Sequence, residues 1–279
     1  MESENFSLMS IEAAIRLGFF AGVFLLLAFF EVLAPRRPLT SSKSKRWFAN
    51  LVLVALNPLS VRLVFPILPL GIALLASERH WGVLNNLDIP FWLETTIGVL
   101  ALDLTIYLQH VLHHAIPLLW RFHLVHHADL DFDLTTGVRF HPIEIAISMT
   151  IKIAAIVAIG PPVLSVLIFE VGLNALSMFN HSNIYIPENA DRVVRFLLVT
   201  PDMHRVHHSV IVRETNSNYG FCFSWWDRLL GTYKDQPENG HLKMTLGLSK
   251  FRDEKKLTLP KLLVLPFKGD TGVDPINRN

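Results

Sequence analysis

The sequence predicts an all-α, polytopic membrane helix bundle of about four spans plus kinked or hairpin helices, with a helical cap gathered on one face. Three observations carry this. Of 279 residues, 51% are hydrophobic and 18% charged, and the mean hydropathy is +0.38, too apolar for an ordinary soluble chain of this length. The apolar residues fall into runs that reach the roughly 20 residues a spanning helix needs. Histidine is concentrated, with 11 of the 13 between residues 110 and 208.

The first run, "AAIRLGFFAGVFLLLAFFEVLAP" over residues 13–35, supplies one span and stops at Pro35. It is too long, and the "MESENFS" before it too acidic, for a cleaved signal peptide. "RRPLTSSKSKR" then places five basic residues (Arg36, Arg37, Lys43, Lys45 and Arg46) and no acid beside that span, so the positive-inside rule puts this loop in the cytoplasm. A second span over residues 49–76 is interrupted by Asn57, Pro58 and Arg62, and is therefore kinked or made of two shorter pieces. A third, residues 91–110, comes back. The run 143–179 would be about 55 Å long as helix, nearly twice a hydrocarbon core, with "GPP" at 160–162 in its middle. It reads as a helical hairpin that goes out and returns. The remaining C-terminal residues, of ordinary polarity, then lie in the cytoplasm. Every histidine from His110 to His208 falls at or below that same face.

Net charge is +1, from 25 basic and 24 acidic residues, so no global basic field argues for a nucleic-acid partner. The single cysteine, Cys222, excludes an intrachain disulfide and any thiolate-built zinc or iron–sulfur site. Whatever the histidines bind, imidazole binds it. On a helix, Asp103, Tyr107, His110 and His114 share a stripe about 60° wide, and His113 falls outside it. "WRFHLVHH" sets His123, His126 and His127 in an H-x-x-H-H pattern, and "DMHRVHHS" repeats it with His204, His207 and His208. Each such cluster covers about a 100° face if helical, and can give ligands to two neighbouring metals.

These boxes supply eight candidates, and His141 in "RFHPIE" and His181 in "FNHSN" bring them to ten. Two ions at four to five ligands each take eight to ten, which supports a dimetal site held in the cap. His141 precedes a proline and also fits a turn or the support of a neighbour. Isolated His80 and His241 read as satisfied polar residues. Crowded imidazoles repel when protonated and cost free energy when buried unpaired, so the boxes call for a cation. Imidazole suits zinc, copper, iron and nickel alike. A structural zinc site uses four ligands and a hydrolytic one three plus water, which leaves eight unexplained. The boxes contain no carboxylate, with Asp129 just after the second, unlike the carboxylate-rich di-iron pattern of helix bundles.

Taken together and in order, "DLTIYLQHVLHH", "WRFHLVHH", "RFHPIE", "FNHSNI", "HRVHH", "NSNYG" and "WWDRLLGTY" resemble the fatty acid hydroxylase/sterol desaturase superfamily of integral membrane di-iron proteins. The resemblance divides the chain into an N-terminal transmembrane region (1–90), a catalytic domain (91–235) and a C-terminal cytoplasmic tail (236–279). It implies dioxygen chemistry at two irons that hydroxylates or desaturates an unactivated C–H position of a lipid such as a fatty acyl chain or sterol. The implied ligands are His110, His114, His123, His126, His127, His204, His207 and His208, with His181 a ninth; zinc can take the place of iron on purification. Asp103, Tyr107, His141 and Asn218 would stand behind the ligands or contact the substrate.

Asp103 lies up to about 16 Å along the third span from His114, either in such a role or paired with Arg62 or a backbone group. Asn216 and Asn218 fit donors to the centre or turn formers. The Trp-Trp-Asp-Arg stretch at 225–228 fits a packing and ion-pair lock for the cap, within an aromatic belt. The chain has no flavin or dinucleotide fingerprint, so a separate electron donor is implied, a ferredoxin or a cytochrome with its reductase. Compact length and lack of organelle signals point to a bacterial inner membrane. The alternatives are a non-enzymatic membrane metal carrier, which would carry ionisable residues at more than one depth, and a haem protein, which would need paired axial histidines rather than boxes.

Overall fold

The computed structural model describes residues 2–269, and these contain helices and no β-strand. α1 (Glu2–Leu33) is followed by α2 (Lys43–Val64) and α3 (Pro69–Glu78), then α4 (Phe91–Ala115), α5 (Pro117–His127), α6 (Pro142–Ile159) and α7 (Val163–Asn180). Shorter helices follow: α8 (Glu188–Val194), α9 (Pro201–His207), α10 (Val212–Thr215), α11 (Trp225–Leu229), α12 (Gly240–Lys243) and α13 (Leu259–Val264). Five stretches are long and apolar enough to cross a membrane: Ile11–Leu33, Lys43–Glu78, Phe91–Ala115, Pro142–Ile159 and Val163–Asn180. The chain is a multi-pass membrane protein.

The second span is indeed two pieces, but its break is not at Pro58. That proline stays inside α2, and the helix stops where Pro66 and Pro69 frame residues 65–68. The 143–179 run forms the hairpin of α6 and α7. Gly160 ends α6 in the left-handed region at φ 67°, and Pro162 starts α7. Gly82 packs against this turn so closely that a Cβ on it would lie 2.2 Å from the Gly160 nitrogen.

Opposite that turn, the C-terminal ends of α1, α4 and α7 meet the N-terminal ends of α2 and α6. Arg36 N–H bonds the Asn183 carbonyl (2.7 Å), joining the end of α1 to the end of α7. Leu102 and Ile106 of α4 pack on Val166, Leu167 and Phe169 of α7 in one apolar core. Ala49 and Leu53 of α2 pack on Trp120, Leu124 and Val125 of α5, with Leu262 and Leu265 from the tail closing this second core.

Charged residues inside the bundle are paired or hydrogen-bonded, as burial requires. Glu170 of α7 meets Lys152 of α6 and Arg16 of α1, each at 2.8 Å. At the cap end Arg46 of α2 reaches Asp129 at 2.5 Å and Asp133 at 2.7 Å, while Asp131 between them accepts from Thr40 and Ser41. The alternating "DLDFD" thus clamps the loop between α1 and α2 onto the end of α5.

Candidate metal centre

The cap end brings together all nine histidines expected as ligands, and sorts them into two groups. His110, His114, His123, His127 and His207 offer ring nitrogens within 4.8 Å of one another, as do His126, His181, His204 and His208. The sorting follows helix geometry. Residues four apart share a face, so His110 with His114 on α4 and His123 with His127 on α5 enter the five-histidine group as pairs, and His204 with His208 enters the four-histidine group. The third member of each H-x-x-H-H box, His126 or His207, faces the other group. The groups share a wall where the His127 and His208 rings stack at 4.5 Å.

Ring nitrogens face one another at distances that suit a common ion. His123 Nε2 is 3.1 Å from His110 Nε2 and 3.2 Å from His127 Nε2; His181 Nε2 is 3.1 Å from His126 Nε2 and 3.2 Å from His208 Nε2. Imidazole nitrogens about 2.0–2.1 Å from one ion, separated by such an edge, subtend an angle of about 100° at it, within ordinary metal coordination. The opposite sides of the rings are tied to fixed acceptors. His110 Nδ1–H donates to the Tyr219 carbonyl (2.7 Å), His207 Nδ1–H to Ser217 (2.8 Å) and His181 Nδ1–H to Ser177 (2.7 Å). Such donation fixes the tautomer and leaves the Nε2 lone pair pointing inward, the arrangement of metal-binding histidines. His207 Nε2 and both nitrogens of His114 and His204 have no hydrogen-bond partner although buried, and a cation would satisfy one nitrogen on each of these rings.

All nine are at most 2% exposed. Burial, followed by the neighbouring imidazoles, pushes His126, His127, His204 and His208 well below the ordinary histidine range, and burial takes His123, His181 and His207 down to about 3. These rings are neutral at physiological pH, as ligation demands. The donor set is all imidazole.

The remaining expected site residues are not members of either group. His141 caps α6: its Nδ1 accepts from Ile143 N–H (3.1 Å), and its ring lies against Phe122 and Phe267, away from both groups. The residue of "RFHPIE" that reaches the centre is Glu144, whose Oε1 is 2.6 Å from His123 Nδ1. No imidazole spacing marks it; it is the carboxylate behind a ligand histidine that orients such rings. His113 lies outside both groups, as its stripe position predicts, and bonds the Gln109 carbonyl (2.8 Å).

Asp103 pairs with neither Arg62 nor a ligand but accepts from Trp226 Nε1 at 2.8 Å, and Tyr107 OH bonds Thr232 Oγ1 at 2.7 Å, fastening α4 to the 225–233 stretch. Asn218 is a turn former, at φ 54°. Asp227 makes no ion pair with Arg228, which stacks on the Tyr233 ring. It accepts instead from Tyr219 N–H (2.7 Å), Gly220 N–H (2.9 Å) and Thr232 Oγ1 (2.6 Å).

Replacing Glu144 by glutamine removes the carboxylate behind His123 while keeping its shape. The expected result is a roughly 10–100-fold loss of metal affinity or of activity, measured by chelator competition on the purified variant. Wild-type retention would show that Glu144 does not support the ligand.

A multi-pass helical bundle with a buried polyhistidine centre at one end is the class that fold and site define. Residues 95–232 match the fatty acid hydroxylase family, and by this domain the chain belongs to the fatty acid hydroxylase/sterol desaturase superfamily. Among characterised proteins it is similar to the ornithine lipid hydroxylase OlsE of Rhizobium tropici, 29% identical over 53% of this chain and 44% of that protein. It also resembles alkylglycerol monooxygenase of Xenopus tropicalis, 28% identical over 64% of this chain and 39% of that one. Cholesterol 25-hydroxylase of Rattus norvegicus is 31% identical over 52% and 48%. The chain thus spans less than half the length of each of these relatives. No solved structure matches it significantly.

Proposed function

We propose that this protein is a membrane-bound, O2-dependent lipid hydroxylase that holds two irons and draws electrons from a separate donor. The observation that carries the reading is the division of nine buried imidazoles into groups of five and four at one end of a membrane bundle. His110, His114, His123, His127 and His207 would hold one iron, and His126, His181, His204 and His208 the other. The relatives named above are hydroxylases or a monooxygenase, which favours hydroxylation over desaturation.

An aliphatic C–H bond offers neither an acidic proton nor a leaving group, so the irons supply the redox chemistry toward dioxygen that side chains lack. The protein's own residues do the rest. The Tyr219, Ser217 and Ser177 carbonyls and Glu144 hold four rings with their Nε2 atoms inward. Burial keeps bulk water off the centre. Phe221 joins the centre to the bilayer core: its ring lies 5.0 Å from His110 and 6.0 Å from His204, and it packs in the cluster of Leu102, Ile106 and Phe169. Phe221 thus ties the centre to the apolar core of the bundle, and the identity of the lipid is left to the lipid analysis below. The positive-inside reading places the centre on the cytoplasmic side, where a soluble electron donor can reach the cap.

Ionisable residues do occur at a second depth, as a metal carrier would have, but there Glu170 is bonded to both Lys152 and Arg16, and the nitrogen ligands gather at one end only. The deciding experiment is mass spectrometry of total lipids from an aerated host making the wild-type protein or His126→Ala. A lipid that gains one oxygen only with the wild type supports the hydroxylase; one that loses two hydrogens makes it a desaturase. Identical profiles from a folded, iron-loaded wild type supplied with a ferredoxin and its reductase would reject both.

A further inference from the structure

The two histidine groups are oriented by different pieces of backbone. A trans peptide is planar, so its N–H and C=O point in opposite directions, and gripping one aims the other. In the turn 217–220, the Ser217–Asn218 peptide has its N–H held by the Thr232 carbonyl (2.9 Å) and its C=O on His207 Nδ1 (2.8 Å). The Tyr219–Gly220 peptide has its N–H held by Asp227 Oδ2 (2.9 Å) and its C=O on His110 Nδ1 (2.7 Å). Asn218 sits between them at φ 54°, its side chain tied to the Met203 carbonyl on α9 and to both backbone groups of Lys234. Both histidines belong to the five-histidine group.

The four-histidine group is held otherwise. His181 donates to the Ser177 carbonyl in the last turn of α7, where Gly137 packs so tightly that a Cβ on it would fall 2.3 Å from the Ser177 oxygen and 3.0 Å from His181 Nδ1. Ser177 Oγ in turn donates to the Gly137 carbonyl (2.7 Å).

We propose that the two metal positions are positioned independently, the five-histidine one by the 217–220 turn through Asp227 and Asn218, the four-histidine one by the contact of Gly137 with Ser177. The proposal rests on the two-metal reading and extends it: each position has its own support, and each can be loosened alone. Asp227→Asn sets an amide NH2 against one of the two backbone N–H groups, of Tyr219 or Gly220, that the carboxylate holds, which loosens the turn that aims the Tyr219 carbonyl. Gly137→Ala drives a methyl into the carbonyl that holds His181.

The test uses full-length protein in nanodiscs, loaded with zinc and then exposed to a fixed chelator concentration. Retained zinc is counted by mass spectrometry, and folding is followed by the thermal midpoint. Wild type is expected to keep two zinc ions. Asp227→Asn and Gly137→Ala are each expected to keep one, the released ion binding roughly 10–100-fold more weakly. Cycles assign the loss. Asp227→Asn added to His207→Ala should release nothing further, whereas added to His181→Ala it should leave no zinc.

Loss of both ions in equal measure from either single variant, or loss of neither, overturns independent positioning while leaving the two-metal reading intact. A wild type that binds no zinc overturns that reading and this proposal with it. If Asp227→Asn does not fold, Asn218→Ala replaces it, with the same outcomes deciding.

Discussion

Alanine at His123 is expected to abolish lipid hydroxylation and to empty the five-histidine group, whereas alanine at His141 leaves activity near wild type. His123 stands at the middle of its group: its Nε2 faces His110 and His127 at 3.1 and 3.2 Å, and its Nδ1 meets Glu144. Removing it deletes a ligand and strands a buried carboxylate, so the loss should exceed the roughly 10–100-fold that a supporting residue costs. His141 caps α6, bonds the Leu263 carbonyl and packs on Phe122 and Phe267, so its truncation costs stability, about 1 kcal/mol for the cap, but touches no ligand. Metal content and product yield measured on both variants decide the matter. Equal losses would mean that the grouping of the rings does not describe the centre.

Arg46→Ala is the largest expected effect on stability. The guanidinium is 5% exposed and bonds Asp129 through two nitrogens and Asp133 through a third contact. Removing it leaves two carboxylates buried beside the end of α5. Breaking a buried pair in this way costs about 3–5 kcal/mol, which lowers the thermal midpoint by on the order of 10 °C. Lysine should recover only part, because it cannot reproduce the forked contact.

Acid should act on the same lock. Burial alone would raise the Asp129 carboxyl; Arg46 and Arg139 outweigh it and hold it below the usual carboxylate range. A depressed folded value means that this contribution is fully present above the unfolded pKa of about 3.9 and is lost as pH falls below it. Thermal midpoints from pH 7 down to about 3 should therefore fall more steeply for wild type than for Arg46→Ala. Parallel curves with unchanged midpoints would show that the clamp contributes nothing.

The fold was readable because its signals are local. Apolar runs and the "GPP" interruption each act within a few turns of helix, and the structure places the hairpin turn at Gly160. Local proline signals were ambiguous only where they competed: Pro58 is tolerated within α2, while Pro66 and Pro69 together end it. The histidine boxes were legible as a gathering, because spacing fixes which rings share a face. Their division was not, since His126 and His207 are assigned by how α5 and α9 face each other.

The supports were hidden for a different reason. Three of them are backbone carbonyls, Ser177, Ser217 and Tyr219, to which residue type is blind. Others join residues far apart in the chain, such as Asp103 with Trp226 and Arg46 with Asp129. Glu144 lies three residues after His141 in "RFHPIE", and the sequence alone does not show that its carboxylate meets His123 on another helix.

The most direct test of the account is to supply 18O2 to the wild-type protein in host membranes with a ferredoxin and its reductase, and to follow the label into lipid. The account predicts a lipid carrying one 18O atom, absent with His123→Ala and absent when the label is supplied as H218O. An oxygenated lipid labelled from water, or formed equally by His123→Ala, would contradict it.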